Sequence, residues 1–228
     1  MLLKYALPIH RKYGIPGHVS LVASQIGIPR NVPGSSYNGM MILNRDELQM
    51  LVREGWGISC HGMNHIHITE DNVDQELFQS RIVLENATGL PVTMFCLPSD
   101  NSHFPIVHDR GPAAGYAANM TIYDRVNSFD GDLMALGRVP LHTEYPPPFY
   151  SAYDQYKRIH QAMDAGGWII DYAHCPMPGK AVHPRKDCTT EELEQRFATV
   201  RQLGGDAVWL AEPNEVAAHL LEQRKQMQ

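Results

Sequence analysis

Runs of apolar and β-branched residues bounded by Gly, Pro, Asn and Ser alternate along this chain with stretches whose apolar positions recur every three or four residues. The first pattern predicts buried strands and the second amphipathic helices. The opening LLKYALPIHRKYG predicts a helix stopped by Gly14, and IPGHVSLVA the strand after it. Residues 24–42, rich in Gly, Ser, Pro and Asn, read as a long loop. Asn44 is placed to cap a helix through Leu51, with Glu47 three residues on in a capping-box position, before the strand GWGIS. A long helix is expected from Thr69 to about Ala87, its core stripe made by Val73, Leu77 and Leu84. PVTMFCLP, GYAANMTI, LMALGRVPL, WIIDYAH and AVWLA read as further strands. Helices are expected at 104–114 and 150–164, from a Thr190 cap to Leu203, and after Pro213, which suits a first helical position. The prolines at 146–148 and the Pro- and Gly-rich residues 175–188 read as loops. About seven strands, most followed by a helix, specify an α/β fold with a mainly parallel sheet.

Length and composition narrow the classes. The chain has 228 residues, 43% of them hydrophobic, which suits a single domain with a substantial core. Its net charge of −6 is scattered, with no basic run, and this argues against a nucleic-acid partner. No stretch reaches the ~18 apolar residues of a membrane span, and no signal-peptide region is visible. The expectation is a cytoplasmic protein with no membrane partner, or an envelope or extracellular one if a signal lies upstream. The four cysteines, Cys60, Cys96, Cys175 and Cys188, lack CxxC spacing and read as buried thiols rather than a disulfide framework.

The stretch GWGISCHGMNH carries the most chemistry. His61 and His65 would stand about 13 Å apart on an extended strand, at ~3.3 Å per residue, too far to share a metal. Gly62 and Asn64 favour a turn there, and on a turn the two imidazoles can meet at one ion. The alternative is a pair of hydrogen-bonded loop histidines, in a chain with 12 to place. Other chemistry-bearing residues also fall at strand ends: Pro98, Ser99 and Asp100 after one strand, Arg138 near the end of another, and His174 closing WIIDYAH. His174 suits a general acid or base, or is a satisfied histidine at a strand terminus. Arg138 suits orientation of a carboxylate or an acidic substrate group, or is a salt-bridge partner.

In this order the motifs resemble those of the polysaccharide deacetylases, the NodB-homology or carbohydrate esterase family 4 group, over nearly the whole chain. His61-Gly-Met-Asn-His65 is similar to the metal-binding H-[ST]-x-x-H motif, with Gly62 in place of Ser or Thr. Glu76, Ser80 and Glu85 lie in a helix similar to the one that follows it. Phe95 to Pro98 stands where the family has R-x-x-P-Y, without the Arg and with Ser99 in place of the aromatic. Arg138 in GRVPL resembles the fourth-region arginine, and Ala173 with His174 resembles the L-H motif. The resemblance implies a distorted (β/α)7-type barrel and a divalent metal, usually zinc, held by two histidines and one aspartate. It implies hydrolysis of an N-acyl, typically acetyl, group on a carbohydrate. His61 and His65 would be metal ligands and His174 the general acid, with an oxyanion N–H from around Ser99 or Asp100.

One part of the pattern is missing. The family's T-F-D-D-G motif, which supplies the base and the metal-binding aspartate from the first strand, has no counterpart, and no Asp-Asp pair occurs. The sequence begins inside the helix that resembles the one following that motif. Three readings follow. The domain is amino-terminally shortened and lacks its first strand, with an opened edge that would encourage self-association. It is a non-catalytic carbohydrate-binding relative. Or another carboxylate completes the site, with Asp100, Asp124 and Asp171 as candidates and Asp100, after the Pro-Ser-Asp turn, foremost. Hydrolysis of a small non-sugar amide is the remaining alternative.

Overall fold

The computed structural model describes residues 1–141, 153–183 and 187–227. The proline loop expected at 146–148, the first residues of the helix expected at 150–164 and part of the loop at 175–188 lie outside them. The chain divides into two compact units. One comprises Met1–Gly17, Tyr123–Asp130 and Gly137–Ala211, and the other His18–Ile122, Gly131–Leu136 and Glu212–Gln228.

The second unit is built on four parallel strands in the order of the sequence: β1 (His18–Leu21), β2 (Gly57–Cys60), β3 (Met94–Cys96) and β4 (Ala118–Met120). Helices connect them: α1 (Arg45–Arg53), a longer helix closed by α2 (Ser80–Thr88), and α3 (Phe104–Arg110). Asn44 and Glu47 form the expected capping box, each side chain bonded to the other's backbone N–H. The helix expected from Thr69 starts later, because Asn72 turns back on Thr69 N–H and the His67 carbonyl, and its first part, Asp74–Gln79, is wound as a π-helix. Leu48, Leu51, Ile58, Leu77, Leu84 and Phe95 are buried in this unit. Because every strand runs the same way, the residues after Leu21, Cys60, Cys96 and Met120 emerge on one rim. The terminal helix α4 (Pro213–Gln226) begins with Pro213 at its first position, as its sequence predicts, capped by the Glu212 carboxylate. The same carboxylate accepts from the His18 ring at 3.1 Å, both lying over Gly57.

The first unit contains the opening helix α5 (Leu2–Tyr13), ended by Gly14 at φ 59°. It packs on α6 (Thr190–Gly204) through Ala6, Ile9, Leu193 and Phe197. Thr189, not Thr190, caps α6, reciprocated by Glu192. Two short parallel strands, β5 (Val139–Pro140) and β6 (Asp171–Tyr172), and the helix α7 (Ile159–Ala165) complete it. The described residues thus hold six strands in two sheets, a parallel α/β arrangement with no closed barrel among them.

Two expected strands depart from this reading. LMALGRVPL divides: Asp132 accepts from Met134 N–H and turns Leu133–Ala135 into a 3-10 helix, Leu136 bridges Met120, and only Val139–Pro140 joins a sheet. AVWLA forms no strand; Val208 is extended but packs back on Gly204, where no Cβ would fit, and no described strand pairs with it. No described helix is long and apolar enough to cross a membrane. All four cysteines are free thiols, Cys60, Cys96 and Cys188 buried as expected and Cys175 half-buried.

Replacing Gly57 by Ala would drive a methyl into the Glu212 carboxylate and the His18 ring. We expect Gly57→Ala to lose about 1–3 kcal/mol in urea denaturation, the range for overpacking; an unchanged midpoint would contradict the packing described. His10 gives a pH test. Burial pulls its ring down to about 4, against the Ile15 carbonyl that supports the charged form. Its contribution is complete above the unfolded pKa of about 6.5 and is lost as pH falls toward 4, where the unfolded chain takes up a proton the fold refuses. Stability should therefore rise from pH 4 to 6.5, and less steeply in His10→Gln; equal slopes would refute the assignment.

Candidate active site

The centre of the candidate site is the loop at 61–65, directly after β2. Gly62 and His65 both take left-handed backbone, φ 81° and 60°, so the chain curls and the two imidazoles meet edge-on at 4.8 Å between centroids. Glu76, wholly buried on the π-helical turn, holds the curl. Its Oε2 accepts from Met63 N–H at 2.8 Å and Asn64 N–H at 3.2 Å, and its Oε1 from the Asn64 side chain at 3.1 Å. A Cβ at residue 62 would stand 2.6 Å from Oε2, so the carboxylate occupies the space that a Ser or Thr there would need. On the other side, Ala23 and Ser24 N–H donate to the carbonyls of Gly62 and Met63 at 3.0 Å.

The histidines are electronically distinct. His61 Nδ1 lies 2.8 Å from the Cys96 carbonyl, which can only accept. The proton of the neutral ring is therefore on Nδ1 and the lone pair on Nε2. The carbonyl thus fixes both the tautomer and the orientation of the ring. Burial, then the neighbouring His61 and the Arg30 charge, lower His65 to about 3, so that its ring is neutral near pH 7.

A second imidazole pair adjoins the first. His67 and His103 have centroids 4.3 Å apart. His103 Nδ1 accepts from Ile68 N–H at 2.9 Å, which puts the proton of its neutral ring on Nε2 and makes it a donor there. Burial and His67 both lower its pKa.

The segment after β3 is also strained. Ser99 has φ 61°, and Asp100 N–H turns back to the Pro98 carbonyl at 2.8 Å, a γ-turn of the rare positive-φ kind. Asp100 N–H is thereby committed. Ser99 and Asp100 are exposed and Pro98 is buried. Asp100 Oδ1 accepts from Ser102 N–H at 2.7 Å, and its bonds to the Ser102 side chain and backbone hold its carboxyl below the usual range. Of the three described non-glycine residues with positive φ, two, His65 and Ser99, lie on this rim. Such strain concentrates at functional sites.

The remaining sequence candidates belong to the other unit. Arg138 is buried with its guanidinium 4.5 Å from the Tyr172 ring centroid, and His174 is exposed, its ring 6.2 Å from that of Tyr172. Asp171 grips the buried Arg196 through two bonds of 2.8 and 2.9 Å. Asp124 pairs with Lys157 at 2.7 Å and Arg158 at 3.0 Å. As candidate replacement carboxylates, both are already committed to cations.

The two imidazoles of the 61–65 loop have the donor chemistry of zinc ligands. A third donor is another matter, since among the described residues no group of three His, Cys, Asp or Glu side chains converges. The described donor set thus supplies two ligands and does not by itself complete a metal site.

Residues 2–104 match the family model of the polysaccharide deacetylases. That segment, somewhat under half of the chain, is similar to the polysaccharide deacetylases. The match contains both histidine pairs, Glu76 and the γ-turn, and ends before Arg138 and His174. Among solved structures the domain is similar to a protein of Mycobacterium smegmatis assigned to the polysaccharide deacetylases, at 20% identity and a TM-score of 0.61, over 97% of this chain and 77% of that one. It is similar to a de-N-acetylase from Aggregatibacter actinomycetemcomitans at 13% identity and a TM-score of 0.52, over 60% of this chain and 64% of that one, less than two thirds of its length. A T48 deacetylase solved with substrate aligns at 13% identity with a TM-score of 0.52, covering 96% of this chain and 85% of that one. At these identities the likeness is one of fold. No curated protein sequence matches the chain.

Glu76 carries more of this loop than its motif context suggested. The signal was present, because Glu76 falls on the face of its helix that also carries Val73, Leu77 and Leu84, and a charged residue on a buried face must find donors. Glu76→Ala would leave the Met63 and Asn64 N–H groups without their acceptor and should cost about 2–4 kcal/mol in urea denaturation. Glu76→Gln, which keeps one oxygen, should lose less. Equal midpoints for wild type and Glu76→Ala would show that the loop is held some other way.

Proposed function

We propose that this domain hydrolyses the amide of an N-acylated carbohydrate, releasing an acyl group such as acetate, and that the loop at 61–65 is its reaction centre. The observation that carries this reading is the His61 Nδ1 bond to the Cys96 carbonyl, which fixes one imidazole with its lone pair on Nε2 beside the neutral His65. In this reading His61 and His65 are two ligands of a divalent cation, with zinc as its identity. When bound, such an ion supplies Lewis acidity toward a carbonyl oxygen. The described residues hold no third ligand, so the reading assigns the chain's own groups and takes no step through the ion.

Ser99 N–H and His103 Nε2–H are the donors proposed to orient the substrate's carbonyl oxygen, and Pro98 with Ser99 forms the adjoining wall. Asp100 is ionised near neutrality and is proposed as the rim's proton acceptor. For His174 and Arg138, which belong to the other unit, we propose the roles that their motifs imply, a general acid and a cation that orients a carboxylate or an acidic group. A polar centre with a few fixed donors on the rim of a parallel sheet is where α/β folds bind small ligands. A catalytically silent carbohydrate-binding relative is the second reading, favoured by the incomplete ligand set.

The test is metal content after dialysis together with acetate release from N-acetylglucosamine oligomers, with and without added zinc. Near-stoichiometric metal with acetate release is expected. His61→Ala should lower metal affinity at least tenfold, since loss of a group that merely hydrogen-bonds to a ligand already costs about 10–100-fold. Oligomer binding without acetate release would support the silent relative, and retention of metal by His61→Ala with unchanged affinity would remove the histidine pair from the site.

A further inference from the structure

Arg30 lies in the segment between β1 and α1 that composition marks as a loop. The backbone there is folded into a narrow antiparallel ribbon. Gly27 N–H donates to Leu43 O at 2.9 Å, Ile42 N–H to Ile28 O at 3.1 Å, Arg30 N–H to Met40 O at 2.8 Å and Gly39 N–H back to Arg30 O at 2.8 Å, with Pro29 bridged to Met41. Arg30 is therefore held on both sides of its backbone, next to a ribbon closed by Gly34 and Gly39 at positive φ.

Its side chain is half-buried, and its Nε is fully buried with no hydrogen-bond partner among the described residues. Among the described residues the guanidinium has no ion pair. This sets Arg30 apart from other arginines drawn in from the surface. Arg81 donates to the Ala114 carbonyl, Arg158 pairs with Asp124, Arg196 with Asp171, and Arg138 covers the Tyr172 ring. A buried N–H without an acceptor costs free energy that a native fold rarely leaves uncompensated. Burial works against the Arg30 charge, and only Tyr37 acts electrostatically in its favour. The segment that leads to Arg30 is tied to the reaction centre, since Ala23 and Ser24 N–H donate to the Gly62 and Met63 carbonyls at 3.0 Å. Around that centre stand four imidazoles and one guanidinium, and the two carboxylates described there are both engaged, Glu76 with Met63 and Asn64 and Asp100 with Ser102.

We propose that Arg30 recognises an anionic oxygen group, a carboxylate or a phosphate, carried by the substrate of this site. The assignment rests on the function proposed above and names its substrate class as an acidic N-acyl sugar. A guanidinium offers such a group two parallel N–H donors, one of them Nε, in the fork geometry that matches carboxylate and phosphate. Bound there, the anion would supply the acceptor that the buried Nε lacks.

The test is calorimetric titration of the full chain with three probes: N-acetylglucosamine, N-acetylmuramic acid with its carboxylate, and N-acetylglucosamine 6-phosphate. In the wild type at least one charged sugar is expected to bind tenfold or more tightly than the neutral one, and the tighter of the two names the group. In Arg30→Gln the charged-to-neutral affinity ratio should fall to about one. Arg30→Lys, which keeps the charge without the fork, should retain part of it and guards against a variant that fails to fold. A wild-type ratio of one, no measurable binding of either charged sugar, or the same ratio in Arg30→Gln overturns the proposal. Acetate release is read separately. A charged sugar held through Arg30 but never hydrolysed would remove the hydrolase reading and leave this one, and hydrolysis without charge preference would do the reverse.

Discussion

The buried carboxylate of Glu76 is the constraint on which the candidate site depends. A loop leaving a parallel strand has no reason of its own to curl within four residues, because two of its residues must take left-handed backbone and two of its N–H groups must turn inward. Glu76 meets both inward N–H groups and the Asn64 side chain. Only glycine leaves room for the carboxylate at residue 62. The two histidines then come together as a consequence of hydrogen bonding beneath them. The π-helical winding at Asp74–Gln79 belongs to the same device, since it sets the carboxylate under the loop.

Around that loop the parallel sheet does the collecting. β1, β2 and β3 each deliver their following residues to one rim, and the cross-strand bond from His61 to the Cys96 carbonyl is available only because β2 and β3 are neighbours with Cys60 opposite Phe95. The strained turn at Ser99 and the donor His103 enter from β3, and Arg30 from the ribbon after β1. The rim is rich in donors and poor in acceptors, which suits oxygen-bearing ligands. Asp124 and Asp171, which could have altered that balance, are each held by cations within their own unit.

Much of this was legible in the chain. The Asn44–Glu47 box, the Gly14 stop and Pro213 at a first helical position are local chemistries, satisfied by atoms a few residues apart, and they stand where the sequence places them. The spacing of His61 and His65 with Gly62 between them was sufficient to anticipate a turn. AVWLA and the first half of LMALGRVPL were not legible as they are, because β-branched composition marks extended backbone while a strand needs a partner at hydrogen-bonding distance. The commitments of Asp124 and Asp171 were equally hidden, since their partners lie up to 34 and 25 residues away.

The sequence by itself determined the parallel α/β class, the caps that bound its helices, and which residues carry chemistry, because these follow from side-chain identity and short-range spacing. Only the tertiary structure decided which nitrogen of His61 bears the proton, which carboxylates are already spoken for, and that the Nε of Arg30 is buried without an acceptor among the described residues, in a segment that composition marks merely as irregular. Those outcomes depend on which groups, distant along the chain, share a volume from which water has been excluded, and on whether each buried donor there meets an acceptor.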